Sequence, residues 1–316
     1  MKTILRLLVL AATLATGLIP LAGATDGTMR LLVPAPAGTA ADVMARILAE
    51  QMGTTLGTVI VVENKPGASG AIAVEALLQH GGPGPALMVA GLDHIVYGPA
   101  ALGRKAWDPL QDLQPVGLVN QDRWVVVGHP ANAADLPTLL RTAKDRPLRC
   151  ANNGLGTTQH AVCAWVAQRL GVAVEHIPYN QSFWTDLIAG RVDLAAVPLP
   201  GATSVLGGGR VSGVMLLSRD RHPSFSSIPA VSELKRPDLV FESGLALYTG
   251  PATTAQVVER LHDALQRAQA APAVIKRYAD LGVEPAPASR PEAMQQLRAR
   301  LQRNDEVRRE ALGSAR

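Results

Sequence analysis

The sequence predicts an α/β protein built of two domains that are joined by a hinge. Apolar, β-branched runs alternate along the chain with stretches of helical periodicity, which is the pattern of parallel α/β architecture. The 316 residues, less the 24 of a predicted leader, leave 292, enough for two domains of ordinary size. Apolar residues make up 47% of the chain and aromatic residues only 3%, so the core must consist mainly of Leu, Val and Ala.

A secretory leader is predicted over residues 1–24. Lys2 and Arg6 supply its positive start, residues 7–18 form an apolar run, and residues 22–24 are a small-x-small cleavage site. The apolar run is short for a bilayer span, and no later segment approaches that length. We therefore expect cleavage after Ala24 and export.

The charge of the chain is nearly balanced. The formal net charge is +4 and becomes +2 when Lys2 and Arg6 leave with the leader. Basic residues are scattered, with a mild concentration over 298–309 in which acidic residues interleave, as on a solvated helix face. Nucleic acid is therefore not an expected partner.

The first domain begins with a strand, a stiff Pro/Gly loop and a helix, and the alternation continues as far as a third strand. The predicted elements are a strand at 30–33, a helix carrying Val43, Met44, Ile47 and Leu48, a strand at 58–62, a helix carrying Ile72, Leu77 and Leu78, and a strand at 86–90.

The pattern changes between residues 116 and 127. Two apolar stretches flank the polar residues 120–123, and we interpret the whole as a strand that crosses into a second domain. An extended segment at 240–250 would cross back, and two crossings without a low-complexity linker predict a hinge. The expected boundaries are domain 1 over 25–121, domain 2 over 122–244, and a return to domain 1 with C-terminal helices over 245–316.

The second domain repeats the alternation, and the chain ends in helices. The predicted elements are a helix at 136–143, a strand at 148–151, a helix at 157–170, a strand at 175–179, a helix at 183–189, strands at 192–197 and 211–217, and helices at 254–268, 273–281 and 292–312.

The loop after the first strand is the most informative segment. Residues 34–38 are rich in Pro and Gly, and Thr39 is placed to cap the next helix. A strand that leads through a Gly loop into a helix start presents unpaired backbone N–H groups and the positive end of the helix dipole. This geometry binds anions without a charged side chain, which predicts capture of a small carboxylate.

The second domain contains the same device over residues 150–160. Its glycine and polar residues, which can admit a ligand to the backbone, cap the helix or donate hydrogen bonds, are Asn152, Asn153, Gly154, Gly156, Thr157 and Thr158. A dinucleotide site is disfavoured, because Gln159 stands where G-x-G-x-x-G needs its third glycine and no acidic residue ends the next strand. A structural turn without a ligand stays open as an alternative. If the two Gly loops face each other, opposed helix starts would hold a dicarboxylate at both ends.

Two cysteines lie in this exported chain. Cys150 is in the strand before the second Gly loop, and Cys163 is about two turns into the helix after it, so both lie at a similar distance from the loop. A disulfide and two buried thiols are both compatible with this spacing.

Neither metal ligation nor catalysis has support in the sequence. The seven histidines show no H-E-x-x-H or H-x-H pairing. Ser69 lies in G-A-S-G-A, which departs from the nucleophile elbow G-x-S-x-G. The carboxylates of Asp108 and Asp112 lie in a Pro-flanked polar loop that is typical of solvated surface. We expect a protein that is not an enzyme and that has no cofactor and no metal.

Six motifs, taken in order, are together specific for one family. Residues 33–46 are similar to V-P-F-P-A-G-G-x-x-D-x-x-A-R, 61–70 to V-V-E-N-R/K-P-G-A-G-G, 107–116 to Y-D-P-x-K-D-F-x-P-V, 152–160 to S-A-G-x-G-S-x-x-H, 177–193 to V-P-Y…D-L-x-G-G-x-V-D, and 218–233 in outline to R-x-x-x-x-P-x-x-P-T-x-x-E. Over about residues 29–301 the chain resembles the Bug-type periplasmic solute-binding proteins of tripartite tricarboxylate transporters.

The resemblance implies a type II periplasmic-binding-protein fold of the Venus-flytrap kind, with mixed sheets and crossing strands at the hinge. It also implies that backbone N–H groups from both domains hold a small organic acid or amino acid in the cleft. The ligand-binding residues carried over are Pro36, Ala37, Gly38, Thr39, Asp42, Ser69, Gly70, Asn153, Gly154, Gly156, Thr157, Thr158, Tyr179 and Asp186. Asp42 is either a helix-start residue or a ligand contact, and as a contact it would accept from an ammonium group and favour an amino acid.

The implied partner is a membrane permease of two subunits that is driven by an ion gradient. The receptor itself is expected to be a monomer in the periplasm. A receptor that presents its ligand to a sensor kinase is the alternative. The effector domain of a transcription regulator is disfavoured by the leader, and an exported enzyme by the missing catalytic residues.

Departures from the family pattern bear on the ligand. Ala35 stands where the family has an aromatic residue, Thr39 where it has a second glycine, and Asn180 and Gln181 where Lys and Gly usually follow the Pro-Tyr pair. Loss of a bulky aromatic side chain enlarges the cleft. We therefore expect a ligand that is bulkier or less charged than the commonest small dicarboxylate.

Overall fold

The computed structural model describes residues 28–80, 85–101, 107 and 111–313. The predicted signal peptide at 1–24 and the predicted surface residue Asp108 lie outside these residues. In the part of the chain that is described, no helix combines the length and the apolar content that a membrane span requires.

The described residues form twelve strands. They are β1 (Met29–Val33), β2 (Ile60–Asn64), β3 (Ala86–Gly91), β4 (Gln114–Leu118), β5 (Asn120–Gly128), β6 (Leu148–Asn152), β7 (Val174–Pro178), β8 (Leu194–Pro198), β9 (Ser212–Leu216), β10 (Glu242–Ser243), β11 (Leu245–Thr249) and β12 (Glu284–Pro285).

The same residues form eleven α-helices and a few short 3-10 turns. The helices are α1 (Ala40–Leu56), α2 (Ala71–Leu78), α3 (Leu92–Ala101), α4 (Pro130–Ala133), α5 (Leu136–Asp145), α6 (Thr158–Leu170), α7 (Trp184–Ile188), α8 (Thr203–Gly207), α9 (Ala255–Ala270), α10 (Pro272–Asp280) and α11 (Arg290–Leu312).

Four of the long helices begin at a hydroxyl side chain. Thr39, Thr157 and Thr254 each accept a hydrogen bond from an N–H of the first turn of α1, α6 and α9. Ser289 and the third residue of α11 form a reciprocal capping box. Such caps satisfy N–H groups that have no partner within the helix, which is why these starts are readable from the sequence.

The first lobe is built on a five-stranded sheet in the order β2-β1-β3-β11-β4. Successive residues of each strand point to opposite faces, so Leu31 packs with α1, α9 and α10 while Leu32 packs with α2, α3 and α11. β1 is parallel to β2 and β3, whereas β11 is antiparallel to β3 and β4. The sheet is mixed because β11, which the chain forms after returning from the second lobe, runs antiparallel to its two neighbours.

The second lobe is built on a sheet in the order β10-β5-β8-β6-β7, with β9 and β12 also paired to β5. β6 is parallel to β7 and β8, while β5 is antiparallel to each of its partners. Apolar clusters cover both faces of this sheet.

The chain passes from the first sheet to the second between β4 and β5, which only Val119 separates. The predicted crossing strand is formed by two strands, β4 and β5, and the polar residues 120–123 are the first residues of β5. The strand accommodates them because they have partners: the Asn120 side chain accepts from the Leu245 N–H at 2.7 Å and donates to Asp122 at 2.7 Å.

Gly244 joins β10 to β11 where the chain returns to the first sheet. Its φ is +146°, and a Cβ atom there would lie 2.4 Å from the carbonyl oxygen of Asn120. Only glycine permits the two crossing segments to approach this closely. Val119 N–H also donates to the Leu245 carbonyl at 2.8 Å, so the two crossings form one hydrogen-bonded hinge.

The last helix, α11, packs against both lobes. Leu297 and Leu301 lie in the core of the first lobe, and Val307 lies in the core of the second. Near its end, Arg169 of α6 forms an ion pair with Glu310 at 2.7 Å. Residues 245–316, which the sequence assigned to a return to the first domain, therefore also contact the second lobe.

The predicted elements lie within two residues of their observed positions, but α3 and the short elements α4, α8 and β12 were not predicted. The longest of these is α3. Its sequence contains Gly98 and Pro99, which are local turn signals. Packing decides otherwise, because the Trp107 ring lies directly against Gly98. α3 lies at the boundary between the lobes, with Ile95 in the first core and Tyr97 in the second.

Candidate functional site

The side chain of Asp42 fixes the conformation of the first Gly loop, residues 34–42, through hydrogen bonds. This carboxylate is buried and accepts hydrogen bonds from the Gly38 N–H at 2.9 Å, the Asn64 amide at 2.9 Å and the Arg46 guanidinium at 3.1 Å. The bond from Arg46 contributes most to a pKa of about 2 for Asp42. The geometry thus favours the helix-start role over ligand contact, because the carboxylate is already occupied.

The loop between β2 and α2 contains two consecutive left-handed residues. Ala68 has a φ of 46° and Ser69 a φ of 48°, conformations that residues with a side chain rarely adopt. Strained backbone of this kind concentrates at ligand-binding sites.

The second Gly loop, residues 152–160, folds its side chains back onto its own backbone. Three side chains accept from three loop N–H groups, each at 3.0 Å. The pairs of acceptor and donor are Gln159 with Asn153, Asn152 with Gly154, and His160 with Gly156.

The start of α6 keeps donors that the loop does not use. Thr157 accepts from the His160 N–H at 3.3 Å and donates its hydroxyl to the carbonyl of Gly154 at 2.7 Å. Within the described residues, the N–H groups of Thr158 and Gln159 have no partner. They stand at the positive end of the helix dipole, where an anion is stabilised.

Cys150 and Cys163 form a disulfide that joins β6 to α6. Both residues are buried, and the second Gly loop lies wholly between them. The bond therefore fixes the two elements that carry this loop.

A cavity of about 270 Å³ lies between the lobes, where α3 meets the start of α6. Its lining residues are Ser69, Asp93, His94, Tyr97, Trp124, Asn153, Thr157, Thr158, Gln159 and Pro198. One hydrogen bond crosses it, from the Thr158 hydroxyl to Asp93 at 3.4 Å. Nowhere in the described chain are three or more His, Cys, Asp or Glu side chains placed to hold a metal ion.

Four of the residues carried over from the family line this cavity: Ser69, Asn153, Thr157 and Thr158. Tyr179 lies in an adjoining depression, which also contains Asn153 and Pro198. In this conformation the others line neither space; they are Pro36, Ala37, Gly38, Thr39, Asp42, Gly70, Gly154, Gly156 and Asp186.

The Asp186 carboxylate is hydrogen-bonded to two neighbouring side chains. It accepts from Arg191 at 2.7 Å and from the Tyr179 hydroxyl at 2.8 Å. The bond from Arg191 is the main cause of a lowered pKa for Asp186. This carboxylate thus orients Tyr179 at the edge of the depression.

Six cavity residues were not predicted: Asp93, His94, Tyr97, Trp124, Gln159 and Pro198. The first three lie on α3, which follows directly from β3. Ligands of open α/β sheets bind beyond the carboxyl ends of the strands. The same rule that singled out the loops after β1 and β6 would have pointed to Asp93 and His94 after β3.

We expect His160 to make the second Gly loop sensitive to acid. Its Nδ1 must be unprotonated to accept from Gly156, and its ring lies 4.3 Å from that of His176. Burial, and then the charge of His176, lower the pKa of His160; burial also lowers that of His176. Because the unfolded chain binds these protons more readily, stability should be complete above about pH 6.5 and fall as pH drops through the lower folded pKa.

The measurement is the pH dependence of the urea unfolding midpoint for wild type and His160→Asn. Asparagine offers an acceptor near the position of Nδ1 without titrating, so the variant should lose less stability between about pH 7 and pH 5. Burial raises the pKa of Asp122 to about 6, and this group titrates in the opposite sense, so only the difference between the two proteins is informative. Parallel pH profiles for the two proteins would contradict the assignment.

Comparison with known proteins identifies the relatives of this chain. Residues 44–312 match the family model described as the tripartite tricarboxylate transporter family receptor, TctC. Protein BugT of Bordetella pertussis is 29% identical over an aligned length of 263 residues, and the match covers 81% of this chain and 81% of BugT.

Two solved structures share the fold. The periplasmic binding protein BugD superposes with a TM-score of 0.75 at 25% identity, covering 90% of this chain and 97% of BugD. MatC from Rhodopseudomonas palustris with bound malate superposes with a TM-score of 0.75 at 23% identity, covering 89% of this chain and 98% of MatC.

These matches confirm the family and the two-domain α/β binding-protein fold that the motifs predicted. The family and fold are those of periplasmic solute-binding proteins, which are not enzymes. The chain belongs to the tripartite tricarboxylate transporter receptor family.

Proposed function

We propose that this chain captures a small carboxylate-bearing ligand in the cavity between its lobes and delivers it to a tripartite tricarboxylate-type secondary transporter with a permease of two subunits. One observation carries the proposal. The N–H groups of Thr158 and Gln159 are unpartnered among the described residues and belong to residues that line the cavity. A carboxylate bound there accepts charge-assisted hydrogen bonds and complements the dipole of a helix that is 13 residues long.

Three N–H groups of the second Gly loop are not available to a ligand, which restricts where the carboxylate can bind. Asn153, Gly154 and Gly156 already donate to side chains of their own loop. The carboxylate would therefore bind at the helix start rather than within the glycine turn. Ser69 lies on the opposite wall, on the loop of the first lobe.

Capture requires that the lobes move about the hinge. The two crossings at Val119 and Gly244 would act as the pivot of this motion, and the packing of α11 against the two lobes would have to adjust to it. Closure would exclude water from the cavity, and lower polarity strengthens each hydrogen bond to the carboxylate.

The test is a thermal-shift screen of residues 25–316 against mono-, di- and tricarboxylates, aromatic acids and amino acids. A ligand at 100 times its dissociation constant stabilises the folded state by about 2.7 kcal/mol, which raises the melting temperature by several degrees. No shift with any member of the panel would count against the proposal.

The helix-start donor is tested by Thr158→Pro. Thr158 is the first residue of α6, where proline is well tolerated but has no N–H. A charge-assisted bond contributes about 1.5–3 kcal/mol, so we expect a roughly 10- to 100-fold rise in Kd by calorimetry. Thr158→Val, which keeps the N–H and removes the hydroxyl, should weaken binding less. Equal Kd values for the two variants would exclude the Thr158 N–H as a ligand donor.

Delivery is tested by ligand uptake in cells that lack this chain. Loss of uptake, restored by the wild-type chain, supports transport. Unchanged uptake with intact ligand binding would instead favour presentation of the ligand to a sensor kinase.

A further inference from the structure

Asp93 lies in the first turn of α3, directly beyond the end of β3. Its side chain folds back over Gly91, the last residue of that strand, where a Cβ atom would lie 2.0 Å from the Asp93 Oδ1 atom. The backbone of Gly91 thus makes room for a carboxylate that lines the cavity and keeps 33% of its side chain exposed.

No strong cation neutralises this carboxylate. In the described chain its only possible ion-pair partner within 4 Å is the His94 ring, at 3.8 Å. The Thr158 hydroxyl donates to it across the cavity at 3.4 Å, a long bond. The described residues that line the cavity include no Lys and no Arg.

The negative charge of Asp93 is felt by other groups at the hinge. After burial, it is the next cause of a raised pKa for Tyr97 and for Tyr248. It also raises the pKa of Asp122. A second carboxylate of a dianionic ligand would meet the same repulsion and no compensating cation.

The geometry points to an α-amino acid zwitterion as the ligand, with its ammonium group on Asp93 and its carboxylate at the start of α6. This inference rests on the proposed function. Thr158 supplies the distance argument, because it offers its N–H to the cavity and its hydroxyl to Asp93. The positive and negative groups of the ligand must therefore be close neighbours, as they are when a single carbon separates them.

The remaining walls indicate an uncharged side chain for this ligand. The rings of Tyr97 and Trp124 line the cavity with Pro198, and both aromatic residues are at least 97% buried. Among the described residues, the Tyr97 hydroxyl and the Trp124 indole N–H have no hydrogen-bond partner, so each is available to donate to a polar atom of the ligand. No side chain of these walls carries a charge that would neutralise an acidic or basic ligand side chain.

The experiment is calorimetric titration of residues 25–316 with matched pairs of probes. L-leucine and L-phenylalanine are compared with isocaproate and hydrocinnamate, which lack only the amino group, and with succinate as a dianion. We expect each amino acid to bind at least about tenfold more tightly than its deaminated partner and than succinate, because only the ammonium group gains a charge-assisted bond to Asp93.

Two variants separate this contact from general effects. Asp93→Asn should weaken both amino acids by at least about tenfold and leave hydrocinnamate as tight or tighter, because it removes the charge alone. Asp263→Asn, an identical change at an exposed position on α9, is the control and should leave all five titrations unchanged. Melting curves of both variants check that they fold.

Amino acids that bind Asp93→Asn as tightly as wild type would overturn the inference, as would deaminated acids or succinate that bind wild type equally well. If the deaminated acids or succinate bind wild type as tightly as the amino acids do, and Thr158→Pro raises their Kd, the proposed function is supported and the zwitterion inference is overturned. If none of the five probes binds, the zwitterion inference is overturned, and the wider thermal-shift screen decides the proposed function.

Discussion

Replacing Asp193 with alanine is expected to lower the free energy of unfolding by about 3 kcal/mol, because a buried carboxylate loses its charge-assisted hydrogen bonds while solvent compensates the two half-exposed arginines only in part. The Asp193 side chain is 0% exposed and accepts from Arg146 at 2.7 Å, from Arg149 at 3.0 Å and from the Asn132 amide at 2.8 Å. It thus ties α4, the end of α5 and β6 to the start of β8. Chemical denaturation measures the loss, and the melting temperature should fall by on the order of 10 °C.

The pH dependence of the wild type supplies a second readout for Asp193. Burial opposes ionisation, but the bonds from Arg146 and Arg149 outweigh it, so the pKa of Asp193 lies below its ordinary value. A lowered folded pKa contributes stability above the unfolded value of about 4 that is lost as pH falls further. Asp193→Ala should lack this part of the acid transition.

Asp186→Ala is the matched control for Asp193→Ala. Asp186 also accepts from an arginine at 2.7 Å, but Arg191 is 67% exposed and solvent screens the pair. Its loss should change stability far less than the loss of Asp193. Equal losses at the two positions would show that burial does not set the effect.

Reduction of the disulfide between Cys150 and Cys163 is expected to destabilise the protein by about 3 kcal/mol, the value for a closed loop of roughly 15 residues. The cysteines are 13 positions apart, and the second Gly loop lies between them. Urea unfolding with and without a reductant measures the change. Hydrogen exchange of residues 153–160 should accelerate on reduction, because β6 and α6 are then held together only by packing.

The double variant Cys150→Ala, Cys163→Ala is the control for reduction. It should unfold at the midpoint of the reduced wild type and should not respond to a reductant. A thiol assay checks that the reductant has opened the disulfide of the wild type. If the urea midpoint of this reduced protein is unchanged, the disulfide does not stabilise the fold.

Local signals made much of the secondary structure predictable. Thr39 and Thr157 indicate the starts of α1 and α6, because a capping side chain accepts a hydrogen bond from an N–H group only a few residues further along the chain. α3 escaped prediction for the opposite reason, since Gly98 and Pro99 argue locally against a helix while packing against Trp107 stabilises it. The antiparallel place of β11 was equally out of reach, because it depends on pairing across the whole second lobe.

The candidate site likewise contains residues that the sequence could indicate and a contact that it could not. Thr157 and Thr158 could be found from a motif on one segment. The bond between Asp93 and Thr158 could not, because it joins residues 65 positions apart in sequence. The sequence also indicated free N–H groups in the glycine turn, whereas His160 and its neighbours occupy them. Side-chain acceptors a few residues downstream compete with any ligand for a loop's donors, which a motif does not reveal.

The position of β11 has a consequence for the order in which the molecule is completed. This strand lies between β3 and β4 and carries the fully buried Tyr248, yet it follows β5 to β10 in the chain. As synthesis proceeds from the N terminus, the main strands of the second lobe exist before β3 and β4 share a neighbour. We therefore expect the lobe that begins the sequence to complete its sheet later than the other lobe, and α11, which follows both in the chain, to pack against them last.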